Sequence, residues 1–102
     1  MEQFAARATS YQGAMMVDIC DLDLIGTTLE QDGLVISLSK EYYQQDTIEL
    51  GRAQELLQKC DIANLVGNRI VGHAIELKMA KDVSIKRISG VPFLMIYKFR
   101  HG

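Results

Sequence analysis

From Ala14 to Cys20 the side chains alternate, with Met15, Val17 and Ile19 on one side and Met16, Asp18 and Cys20 on the other. A period of two predicts a strand. Gln31-Asp32-Gly33 is a turn signal, and Leu34, Ile36 and Leu38 then predict a second strand over 34–38. The period changes after Asp46, where Ala53, Leu56, Leu57 and Cys60 fall at i, i+3, i+4 and i+7. That spacing is one stripe of a helix. Asp46 and Glu49 have the spacing of a capping box, so the helix is expected to begin there. Ile62 to Val66 is a short apolar link or brief strand, and a second helix fits residues 69–79, with Val71, Ala74 and Ile75 inward. Residues 83–88 and 92–99 predict a closing pair of strands joined by the hairpin turn Ser89-Gly90.

The order β-β-α-α-β-β predicts an α+β fold of two layers, a mostly antiparallel sheet with two helices on one face. Residues 14–102 make a single domain. Residues 1–13, a mixture of Ala, Gln, Thr and Ser with no clear period, are expected to form a loosely ordered extension. Along the last strand Phe93, Met95, Tyr97 and Phe99 form a continuous apolar face, the natural candidate for the core. Leu94, Ile96, Lys98 and Arg100 form a mixed face on which Leu94 and Ile96 are expected to stay exposed.

Composition narrows the class. With 102 residues, 48% hydrophobic and 24% charged, the chain is an ordinary globular domain long enough for one core. No apolar run approaches a membrane span, and Met1 to Gly13 lacks the apolar stretch of a secretory signal. The expected compartment is the cytoplasm, with no membrane partner. Cys20 and Cys60, forty residues apart with no CxxC pair, are read as buried free thiols.

Charge is uneven along the chain. Residues 1–67 carry four basic and eleven acidic side chains, and residues 68–102 carry seven basic and two acidic. Lys86, Arg87, Lys98 and Arg100 would come within reach of one another if the last two strands pair. Such a patch would neutralise phosphates, and RNA or a ribonucleoprotein is the expected partner. The aromatic strand suggests base stacking as well, although alternating apolar residues on one strand more often line a core.

Candidate chemistry is sparse. Asp18, Asp21 and Asp23 are the candidate metal or acid–base residues, since hard cations take oxygen ligands. Turn formation explains these aspartates without an ion. His73 and His101 have no certifiable acid or nucleophile beside them, and no phosphate loop, nucleophile elbow or zinc-protease motif is present. No catalytic residue and no cofactor are assigned. A non-enzymatic binding domain is therefore the leading reading. The alternatives are a protein–protein adaptor or homo-oligomer, and a small metal-dependent enzyme centred on the three aspartates with Tyr42 or Tyr43 nearby.

Cys20-Asp21, Leu24-Ile25-Gly26, Tyr42-Tyr43, Ile62-Ala63-Asn64-Leu65-Val66-Gly67 and Gly90-Val91-Pro92 occur in that order. Together they resemble the archaeal domain-of-unknown-function family 424 over residues 14–99. The resemblance implies an archaeal cytoplasmic protein, loosely associated with translation genes, and carries no catalytic or ligand residues with it. The family pattern has a histidine after Gly-Val-Pro, where this chain has Phe93.

Overall fold

A computed structural model of the chain describes residues 2–98. Eight strands and three α-helices are present among them: β1 (Gln3–Tyr11), β2 (Ala14–Asp21), β3 (Thr28–Gln31), β4 (Leu34–Ser37), α1 (Lys40–Tyr43), β5 (Asp46–Glu49), α2 (Leu50–Lys59), β6 (Ile62–Val66), α3 (Asn68–Glu76), β7 (Lys86–Ile88) and β8 (Val91–Tyr97). Six strands form one sheet in the order β5-β1-β2-β6-β8-β7, while β3 and β4 pair as a separate hairpin. Every neighbouring pair is antiparallel except β2 with β6. The α+β class with a mostly antiparallel sheet is thus the observed one.

Strand alternation divides the sheet into two faces. Phe4, Ala6, Val17, Ile19, Ala63, Leu65, Leu94 and Ile96 point to one face and are buried. The stripe of α2 (Ala53, Leu56 and Leu57, continued by Cys60) packs there together with Ile70, Val71 and Ala74 of α3. The other face carries a smaller core of Ala5, Cys20 and Val66, covered by Leu29 and Leu38 from the hairpin segment. β6 is apolar on both sides where it is covered twice, as expected of a strand in a parallel pair. The two cysteines are free and buried, one in each core.

Several expectations are corrected. The segment expected to be a loose extension is strand β1, which pairs with both β2 and β5 and buries Phe4, Ala5 and Ala6 completely or nearly so. Its small side chains suit a strand enclosed on both faces, but they leave no periodic signal. Asp46 to Glu49 is edge strand β5 rather than a helix cap, because β-branched Thr47 and Ile48 ladder against Ala5 and Phe4. The helix starts at Leu50, and a short helix capped by the Ser39 hydroxyl occupies the expected connection around Tyr42. The strand expected over 34–38 belongs to the separate hairpin. The last expected pair shortens to Lys86–Ile88 and Val91–Tyr97. The turn between them is at Ser89-Gly90, both with positive φ, as a tight hairpin requires.

The last strand also faces the other way. Leu94 and Ile96 are buried under α2 and α3, whereas Met95 and Tyr97 are 52% and 56% exposed. The exposure expected of Leu94 and Ile96 is therefore corrected: both belong to the core. Both alternating sets on β8 are apolar, so the side with two amphipathic helices to fill it took the branched aliphatics.

Candidate functional site

Cross-strand register builds the uncovered part of the second face. Arg7 pairs with Asp18, Asp18 with Asn64, and Asn64 with Met95, so one residue from each of β1, β2, β6 and β8 forms a row. The next row outward is Thr9, Met16, Ile62 and Tyr97, and Tyr11 lies beyond it. These rows extend past the hairpin, and Tyr11, Met95 and Tyr97 are exposed. The row on the other side, Ala5, Cys20, Val66 and Phe93, ends at Lys86 of β7.

A cleft of about 390 Å³ opens where α1 overhangs the sheet, lined by Asp18, Asn64, Tyr42, Tyr43, Phe93 and Lys86 among others. Its volume is in the range of small-molecule sites. The rings of Tyr42 and Tyr43 meet edge to face at 4.7 Å, and the Arg7 guanidinium sits 5.0 Å from the Tyr42 ring centre. Asp18 is only 3% exposed and its Oδ1 accepts a 3.2 Å hydrogen bond from Asn64 Nδ2. Burial raises the Asp18 pKa above the ordinary aspartate value, against the opposing pull of the Asn64 bond and the Arg7 charge. Burial likewise pushes the Tyr43 phenol and the Cys20 thiol up to about 12. Neither supplies an ionised nucleophile near neutral pH.

The three aspartates expected to act together do not converge. Asp18 faces the cleft, whereas Asp21 points to the helical face and caps α3. Its Oδ2 accepts from Arg69 N and its Oδ1 from Ile70 N, both at 2.9 Å. Asp23 is exposed in the 3-10 turn at Leu22–Leu24. Among the described residues no group of three His, Cys, Asp or Glu stands close enough to hold a metal ion. Of the basic set, Lys86 lines the cleft while Arg87, paired with Pro92, lies on the opposite side of β7. Lys98 donates from Nζ to the Leu57 and Gln58 carbonyl oxygens at the end of α2. Arg100 and His101 lie outside the described residues, as does Phe99. His73 is turned to Glu2, Nε2 to Oε1 at 3.0 Å, and stands edge-on to Phe4.

Arg7 and Asn64 were not among the sequence candidates. A lone polar residue inside an apolar strand was the available signal. Asn64 interrupts Ile62 to Val66 as Asp18 interrupts Ala14 to Cys20, and a buried polar group needs a partner. That each is the other's partner depends on a pairing 46 residues apart.

The family described as protein of unknown function (DUF424) matches residues 9–99. A crystal structure of an uncharacterized conserved protein from Methanopyrus kandleri has a similar fold, with a TM-score of 0.76 at 19% sequence identity. The match covers 98% of this chain and 99% of that one. No curated protein matches the chain significantly. Among the described residues no helix is long and apolar enough to cross a membrane.

Proposed function

We propose, for a chain that belongs to the DUF424 family, that the open sheet face binds single-stranded RNA and performs no catalysis. The observation that carries this reading is the exposure of Met95 and Tyr97 on the face that also holds the cleft. Exposed aromatic side chains on a sheet are stacking platforms for unpaired bases, and stacking is worth about 1–3 kcal/mol per base. Lys86 and Arg7 border the same area and supply cations for the backbone. The Asp18–Asn64 pair offers the hydrogen bonds that stacking lacks.

This replaces the basic-strand version of the reading, in which Lys98 would have met phosphate. Fluorescence anisotropy with a labelled uridine heptamer at low salt tests the proposal. Tyr97→Ala should weaken binding about tenfold with little change in melting temperature, because the ring is half exposed. No detectable binding by the parent protein, or equal binding by the variant, removes the reading.

A further inference from the structure

We infer that the cleft selects guanine, a step that rests on the RNA reading above. Asp18 and Asn64 stand on neighbouring strands in direct register, at the floor of the cleft. An ionised carboxylate only accepts, so Asn64 turns its NH2 toward Asp18 Oδ1 and its own Oδ1 away from it. Asp18 Oδ2 and Asn64 Oδ1 then remain as two acceptors on neighbouring strands, which run about 4.8 Å apart.

Of the four bases only guanine has two adjacent N–H donors, N1–H and the 2-amino group, on its Watson–Crick edge. Adenine and cytosine each place one amino group beside a ring acceptor. Uracil has a single N–H between two carbonyls, which a carboxylate repels. The walls suit a flat ring, since Tyr43, Phe93 and Val66 bound the space. Lys86 lies on the same lining, placed to meet an adjoining phosphate.

Energetics point the same way. Among the described residues the hydrogen-bond donor to the buried Asp18 carboxylate is a neutral amide. Arg7 faces it across the β1–β2 pair, and an N–H from a ligand would add a charge-assisted hydrogen bond at Asp18 Oδ2, with the second N–H going to Asn64 Oδ1. Bidentate pairs of this kind discriminate among bases by about 1–3 kcal/mol.

Uridine heptamers with a single central guanosine, adenosine, cytidine or inosine test the inference by anisotropy. The guanosine heptamer should bind about tenfold tighter than the uridine heptamer. Inosine, which keeps N1–H and lacks the 2-amino group, should lose most of that gain. Asp18→Asn should bring the guanosine heptamer down to the affinity of the uridine heptamer, with folding checked by thermal melting. Equal binding of all the heptamers overturns the guanine assignment and leaves the RNA reading standing, while no binding of any heptamer removes both. A guanosine preference that survives Asp18→Asn, or an inosine heptamer bound as tightly as guanosine, also overturns the assignment.

Discussion

The Asp21 carboxylate occupies the space that a side chain on Gly67 would fill: a Cβ there would lie 2.3 Å from Asp21 Cγ. Gly67 precedes the first residue of α3 with φ 117° and ψ 153°, a conformation essentially restricted to glycine. The two features serve one purpose. They bring the end of β2 close enough for Asp21 to accept from the first backbone N–H groups of α3, so the helix's anion site is filled by the protein itself.

Gly67→Ala is therefore expected to be among the most damaging single-methyl changes in the chain. Backbone strain and the clash with Asp21 together should cost about 3 kcal/mol or more. In a domain of this size that lowers the melting temperature by at least about 12 °C. Gly90→Ala is the control: its φ is also positive, at 81°, but nothing lies within 4 Å of the added methyl. It should cost only about 1–2 kcal/mol. Similar melting losses for the two variants would show that the contact with Asp21 is not what constrains Gly67.

The contrast between α2 and β8 shows what the sequence could and could not disclose. The α2 stripe was legible because Ala53, Leu56, Leu57 and Cys60 have apolar character on one side only, and all four are buried as expected. On β8 both alternating sets are apolar, so periodicity identified a strand without choosing its buried side. The choice was made by α2 and α3, which no local pattern connects to Leu94 or Ile96. Strand β1 was hidden for the opposite reason. Ala5, Ala6 and Ala8 have too little apolar contrast with Thr9 and Ser10 to register as alternation. The cleft needed the register of four strands, so Asp18 was visible as a candidate but its neighbours Asn64 and Arg7 were not.

Asp18→Asn should stabilise the protein at neutral pH. The folded state raises the Asp18 pKa through burial and so holds that proton more tightly than the unfolded chain does. The carboxyl favours folding fully below about pH 4, where it is protonated in both states, and that contribution falls as pH rises through the folded-state pKa. Asparagine keeps an acceptor for Asn64 and carries no charge. Relieving such a site commonly yields about 0.5–2 kcal/mol. The urea midpoint of the variant should exceed that of the parent at pH 7, and the two should converge near pH 4. Comparing variant with parent at each pH cancels the other carboxylates, including Asp21, whose pKa burial also raises. A variant no more stable than the parent at pH 7 would mean that the buried charge is not a burden.

Lys98 separates the structural from the nucleic-acid role of the basic strands. Residues of even number on β8 point toward the helices, and Lys98, next after the strand, continues that side. Its ammonium meets the Leu57 and Gln58 carbonyl oxygens, which the last turn of α2 leaves without intrahelical donors. A cation at that position also opposes the negative end of the helix dipole. Lys98→Met keeps the apolar stem and removes the charge and the donors, so it should cost about 1 kcal/mol. That corresponds to about 4–8 °C in melting temperature. The same variant should bind the uridine heptamer as the parent does, because the open face lies on the other side of the sheet. Loss of RNA affinity with an unchanged melting temperature would return Lys98 to the phosphate contact expected from charge alone and displace the sheet face as the binding surface.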